Sequence, residues 1–200
     1  MNLKFPCTIG VLGSCGAGKS KLCKYIITYY KSNFDFVFVL TGTGFNRGYD
    51  FLKDIGMKHK VMNGLKFNDK LAFIMKKQKY YKENNIKSSV LIVFDDLMGQ
   101  VKKSKVIEQL ISTFRHFNIS IIFISQSAFG IAPDLRELLY YACIFGQYTA
   151  RSLKAIWESY FQDMSYKELI DYMKGKLTRP YSFILMDRIQ KNKRIMIAPA

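Results

Sequence analysis

The sequence predicts an α/β fold: one domain, residues 1–200, with a mostly parallel central sheet, flanking helices and a closing C-terminal pair of strands. Three observations carry this. Continuous apolar runs of strand length alternate with segments of helical periodicity, the pattern of a sheet buried on both faces. A glycine-rich turn joins the first apolar run to the first helical segment. No linker, repeat or low-complexity stretch interrupts the 200 residues, a length that suits one domain.

Taken in order, residues 5–13 read as a strand that ends in glycine. Residues 19–30 read as a helix on the spacing of Leu22, Cys23, Ile26, Ile27 and Tyr30. The β-branched and aromatic run 34–42 is a second strand, followed by a glycine-rich turn region at 42–50. Residues 53–87 form a basic stretch with ten lysines and three acids, whose second part, 68–84, is helical through Leu71, Ile74, Met75 and Tyr81. Residues 88–96 form a strongly apolar strand that ends in two acids. A helix over 103–117, on Val106, Ile107, Leu110, Ile111 and Phe114, leads to another apolar strand at 119–126 and a weaker one at 142–148. Helices over 150–161 and 166–174 then precede a strand pair at 180–187 and 194–199, turned as a hairpin at 188–193.

Composition narrows the class. A hydrophobic content of 49% supports a packed core and excludes disorder. Lys and Arg number 31 against 15 acids, a formal charge of +16, which points to nucleic acid ahead of a membrane surface or plain solvation. Cys7, Cys15, Cys23 and Cys143 have neither C-x-x-C spacing nor a nearby His cluster, so neither a zinc site nor a disulfide framework is expected. They read as small buried side chains of a reducing compartment. No apolar run reaches membrane-span length and the chain opens straight into a strand, so a soluble intracellular protein is expected.

Gly13-Ser14-Cys15-Gly16-Ala17-Gly18-Lys19-Ser20 satisfies G-x-x-x-x-G-K-[ST] at every fixed position, between a strand and a helix as the mechanism demands. Glycines let backbone N–H groups turn inward around phosphates, and the helix N-terminus, running on into Lys21, adds its positive dipole. Lys19 is the residue for the β and γ phosphates, and Ser20 supplies a hydroxyl ligand for Mg²⁺. At the end of the acidic strand, Asp95 is placed to hold the Mg²⁺ shell and Asp96 to polarise an attacking water. A plain Asp-Asp turn is the alternative there. Asp96 to Gly99 also fits a GTPase-like D-x-x-G, but no N-K-x-D element follows. Gln126, at the end of a buried strand, can hydrogen-bond the water or the γ-phosphate, or simply end the strand with a polar group.

The order of GSCGAGKS, VLIVFDDL, FRHFNISIIFISQ and APDLREL resembles the poxvirus-type DNA-packaging ATPases of large double-stranded DNA viruses, in the FtsK–HerA superfamily, over roughly residues 9–136. The resemblance implies a RecA-like P-loop core and a homo-oligomeric ring. It implies ATP with Mg²⁺ as cofactors, and double-stranded DNA driven into a preformed capsid. It makes Lys19 and Ser20 the phosphate and metal residues, Asp95 and Asp96 the acidic pair, and Gln126 the sensor. Some superfamily members carry Glu where this chain has Asp96. An arginine finger from a neighbouring subunit is expected, with Arg115 and Arg136 as candidates and Arg151 behind them, each alternatively a surface or packing arginine. The basic stretch 53–87 and the C-terminal KGKLTRP and RIQKNKR segments are candidate DNA contacts through phosphates, or solvated faces. A capsid or packaging-vertex partner and residence in the host cytoplasm at virus assembly sites, or in the virion, follow from the same resemblance. Two other classes fit the loop: a small-molecule P-loop kinase, which calls for an arginine-rich lid, and a non-catalytic DNA-binding protein with a vestigial nucleotide fold.

Overall fold

The computed structural model describes residues 1–42, 47–64, 67–97, 101, 104–146 and 148–198. The apolar runs form β1 (Thr8–Leu12), β2 (Phe36–Thr41), β4 (Val90–Asp95), β5 (Ile119–Ser125), β6 (Tyr141–Phe145) and β7 (Ser182–Asp187), with the more polar β3 (His59–Asn63) and β8 (Asn192–Ile197) outside them. Among the described residues these make one sheet in the order β3-β2-β4-β5-β1-β6-β7-β8. Neighbours are parallel from β3 to β6. β6 with β7 and β7 with β8 pair antiparallel, so the C-terminal hairpin closes one edge.

Side chains alternate between the faces with period two, and each face is apolar. Ile9, Val11, Val37, Val39, Leu91, Val93, Ile122 and Ile124 pack on one side with Leu22, Ile26 and Ile27 of α1 (Lys19–Tyr29) and with Phe51 and Leu52 of α2 (Phe51–Asp54). Leu12, Leu40, Ile92, Phe94, Ile121 and Phe123 face the other side. There they meet α3 (Phe67–Glu83), α4 (Lys105–Thr113), α6 (Ala150–Tyr160) and α7 (Tyr166–Lys176). Each such Leu, Ile or Val contributes roughly 1.5–3 kcal/mol when fully buried. A short α5 (Pro133–Glu137) precedes β6, with Pro133 in its first turn, where the missing N–H costs nothing.

The helix starts divide into two kinds. Ser104 caps α4, Thr149 caps α6, and Ser165 with Glu168 forms a capping box on α7. α1 has no side-chain cap; Gly18, in the left-handed region at φ 103°, precedes it. Its first N–H groups are left for an outside acceptor.

The structure departs from the sequence reading mainly in residues 53–87. The first part of that stretch holds the end of α2 and β3, a strand that its lysine content concealed. β3 is an edge strand with Lys60, Val61 and Asn63 exposed, and edge strands lack the apolar alternation of buried ones. β1 starts at Thr8, after Pro6, which has no N–H to pair. The predicted helix over 103–117 starts after Ser104 and ends at Thr113, and Lys103 lies outside the described residues. Part of the turn region at 42–50 and Gly99 of the D-x-x-G match also lie outside them.

Candidate phosphate and water-activation site

The site stands where β1, β2, β4 and β5 end, the place where open α/β sheets collect ligands. β1 runs into the loop at Gly13, whose N–H donates to the Ser125 carbonyl at the end of β5 at 3.1 Å. A Cβ on Gly13 would come within 2.8 Å of the Phe145 Cβ, so only glycine lets the loop lie this close to β6. Gly16 and Gly18 hold φ of 75° and 103°, conformations that favour residues without a Cβ. The loop therefore folds as its glycine spacing requires.

Lys19 is 8% exposed and spans the loop, donating from Nζ to the carbonyls of Gly13 at 2.8 Å and Ser14 at 2.7 Å. Burial lowers its pKa, while Cys15, Asp96 and Asp95 pull it back up. The ammonium is thus held ready over the loop with acceptors that a phosphate can replace. Ser20 lies exposed beside it, and one cavity of about 210 Å³ brings Lys19 and Ser20 together with Thr41, Asp95, Asp96 and Gln126.

β4 is not the neighbour of β1; β5 lies between them, so the acidic pair faces the loop across an intervening strand. Asp95 stays in the ladder with β2. Its Oδ2 accepts a hydrogen bond from the Tyr49 hydroxyl at 3.0 Å. Burial raises the pKa of Asp95, Tyr49 lowers it, Asp96 raises it and Lys19 lowers it, leaving the carboxyl above its ordinary value. Asp96 leaves the strand at φ 55°, a left-handed conformation that turns it to the open side of the cavity. Its Oδ2 accepts from Gln126 Nε2 at 3.0 Å. Gln126, one residue past β5, thus touches the acidic pair directly.

The donor set fits Mg²⁺, which prefers oxygen, keeps several waters and takes one or two carboxylates together with substrate phosphates. Ser20 and Asp95 share the cavity in that way. Among the described residues no cluster of three or more His, Cys, Asp or Glu forms an all-protein metal cage.

The cysteine expectation divides. Cys7, Cys23 and Cys143 are buried, and burial pushes the Cys143 thiol up to about 12. Cys15 is exposed and lines the phosphate cavity, because the loop points its second variable position outward. The arginine candidates scatter. Arg136 is 5% exposed, and its Nη1 donates to the carbonyls of Ala128 at 2.7 Å and Ile131 at 3.4 Å, so it is spent inside its own chain. That corrects its reading as a finger: a side chain buried on its own carbonyls does not reach a neighbouring subunit. Arg115 is exposed in the turn between α4 and β5, at the strands' amino ends, stacked near Phe114 and Tyr140. Arg151 is exposed at the start of α6, its guanidinium 4.9 Å from the Phe129 ring centroid.

Tyr49, 5% exposed, is the site residue that sequence reasoning passed over. It belongs to the region marked only as a glycine-rich turn, and no spacing links it to Asp95. On the outer edge, α3 buries Phe67, Leu71, Ile74, Met75 and Gln78 and turns Lys76, Lys77, Lys79 and Lys82 outward. Phe73 and Tyr80 stand among those lysines at 64% and 57% exposure. Among the described residues no helix is long and apolar enough to cross a membrane.

Several known proteins are similar. The genome packaging NTPase B204 of Sulfolobus turreted icosahedral virus 2, solved with ATP-gammaS, superposes with a TM-score of 0.74 at 17% identity, over 98% of this chain and 100% of that one. The cytoplasmic domain of the Thermomonospora curvata type VII secretion ATPase EccC gives 0.66 at 12% identity, over 96% of this chain and 25% of that one. The uncharacterized protein L437 of Acanthamoeba polyphaga mimivirus is 22% identical over 188 residues, 90% of this chain, and the chain spans 66% of that relative's length. The model of the Poxvirus A32 protein family matches residues 2–198, and the chain belongs to that family.

Proposed function

We propose that the chain is an ATPase that drives double-stranded DNA into a viral capsid. The observation that carries this is the convergence of Lys19, Ser20, Asp95, Asp96 and Gln126 on one cavity, with Gln126 bonded to Asp96. A kinase needs a phosphate acceptor site there; a hydrolase needs a base and a water-orienting amide, the roles this reading gives to Asp96 and Gln126. Membership of the Poxvirus A32 family and the fold shared with a genome packaging NTPase support the same reading.

Residues 13–20 wrap the phosphates with their N–H groups, and Lys19 exchanges its two carbonyl acceptors for phosphate oxygens. Ser20 and Asp95 would hold Mg²⁺, which would supply charge neutralisation for the phosphates when bound. Asp96 accepts the proton of the attacking water. The Gln126 amide uses one N–H on Asp96; its second N–H remains to donate to the γ-phosphate and its carbonyl to accept from the water. Loss of that phosphate changes what the amide bonds, and Asp96 with it. Because Gln126 sits at the end of β5, the change is delivered to the strand between the loop and the acidic pair.

The chain works as a ring, with Arg115 or Arg151 of one subunit completing the site of the next. Duplex DNA meets lysines through its phosphates, and the outward face of α3 supplies them without any base-reading element. The capsid is the second partner, and the infected cell's assembly sites are where the three meet.

ATP turnover measured with and without duplex DNA, for wild type and Asp96→Asn, tests this. Turnover in wild type and its loss in Asp96→Asn, by roughly 10²–10⁴ as for removal of a general base, is the expected result. Phosphate transfer to a nucleoside monophosphate without DNA would overturn it. So would no turnover at any protein concentration that assembles rings.

A further inference from the structure

A second cavity, of about 360 Å³, adjoins the phosphate cavity, and the two share Gly16. Ala17, Phe145, Leu177, Pro180 and Tyr181 supply its apolar surface. A triphosphate wrapped by residues 13–20, with its terminal phosphate toward Asp96 and Gln126, carries its nucleoside at the other end. Gly16 and Ala17 of the loop also line this cavity, which makes it the neighbouring space for that end. The size is within the range of small-molecule pockets, about 300–1,000 Å³.

Tyr181 stands out among the walls. It precedes β7 at φ 62°, a left-handed conformation in which a bulky side chain is a true outlier. The turn is locked around it. Ser182 donates to the Arg179 carbonyl from both N–H, at 3.2 Å, and Oγ, at 2.7 Å, and the Ala198 N–H donates to the Tyr181 carbonyl at 2.9 Å. Glycine or asparagine makes such a turn without strain, so folding of the turn does not call for an aromatic ring here. The residue is 39% exposed, so core packing does not call for it either.

Its neighbours are instead those of the phosphate loop. A Cβ on Gly18 would come within 2.8 Å of the ring, so the glycine that starts α1 also makes room for Tyr181. Lys21 Nζ stands 4.5 Å from the ring centroid and fixes its orientation by a cation–π contact. Strained side chains that surrounding structure over-determines concentrate at ligand clamps.

We infer that Tyr181 is the nucleobase platform of this site: the planar base of a nucleoside triphosphate stacks on the ring, and its ribose crosses Gly16 and Ala17. The assignment rests on the nucleotide reading of the phosphate loop. It makes Tyr181 a binding residue for the base alone, with no part in phosphate recognition.

The test is calorimetric titration of the full chain with ATP and, separately, with inorganic tripolyphosphate, both with Mg²⁺, for wild type, Tyr181→Ala and Tyr181→Phe. Tyr181→Ala is expected to weaken ATP about tenfold or more, the scale of one base–aromatic stack. It should leave tripolyphosphate within about twofold, and Tyr181→Phe should retain both affinities. Equal weakening of both ligands in Tyr181→Ala would overturn the inference by making the ring a prop for the loop. Unchanged ATP affinity would overturn it outright. Wild type that binds neither ligand would defeat the phosphate-loop reading itself, a result distinct from either of these.

Discussion

The two cavities that meet at Gly16 differ in what the chain brings to them. The phosphate cavity is made of backbone N–H groups, one buried ammonium and polar side chains at the ends of β2, β4 and β5. The neighbouring cavity combines the ring and aliphatic surface of Phe145, Leu177, Pro180 and Tyr181 with the polar Thr178, Arg179 and Ser182, brought by a C-terminal turn to the base of the loop. The first recognises charge, which demands donors at fixed positions; in the second, the Tyr181 ring offers a flat surface beside polar groups. Substitution should therefore separate them.

Lys19→Ala should have the largest effect. It removes the ammonium from the phosphate cavity, and turnover should fall by about 10²–10³. ATP and tripolyphosphate should lose affinity together, and tripolyphosphate binding at wild-type strength in a titration would break the division between the cavities. Gly18→Ala should strike both at once. A Cβ there meets the Tyr181 ring at 2.8 Å and must adopt φ 103°. Urea unfolding should register a loss of about 1–2 kcal/mol, the cost of a left-handed non-glycine residue. Unchanged stability would mean that the loop start relaxes freely.

Tyr49→Phe should sharpen the comparison within the phosphate cavity. It keeps the ring and removes the hydroxyl's bonds to Asp95 Oδ2 and to the buried Cys23 thiol. The Mg²⁺ needed for half-maximal turnover should rise about tenfold, as for loss of a group that orients a metal ligand. The bond to Asp95 lowers the pKa of that carboxyl, so its removal raises the pKa further. The carboxylate is then lost at higher pH as acid is added, and the acid limb of the turnover profile should move upward. A profile that stays in place would separate Tyr49 from Asp95. Thr149→Ala should have the smallest effect. It removes the cap that the Thr149 side chain gives the Ser152 N–H at the start of α6. About 1 kcal/mol of stability should be lost, with both ligand affinities unchanged.

What could be read in advance follows the same line. Lys19, Ser20, Asp95, Asp96 and Gln126 were legible because each belongs to a local pattern: a loop of fixed glycine spacing, or the polar end of an apolar strand. Tyr49 and Tyr181 carried no such pattern. Each sits in a turn whose composition looks ordinary, and each acquires its role from a residue distant in the chain. Arg136 shows the converse. The resemblance made it a finger candidate or a packing arginine, and its guanidinium bonds the carbonyls of Ala128 and Ile131 inside its own chain. β3 was hidden because an edge strand with lysines does not announce itself by hydrophobic alternation.

The sequence by itself determined the phosphate loop, the apolar strands, the helices between them and the closing hairpin, because glycine freedom and hydrophobic period act between near neighbours. Only the tertiary structure decided that β5 separates the loop from the acidic pair. It alone put Gln126 on Asp96, Tyr49 on Asp95 and Tyr181 over Gly18. Those contacts depend on strand order and on which loops share an end of the sheet, and both emerge only when the whole chain buries its two apolar faces together.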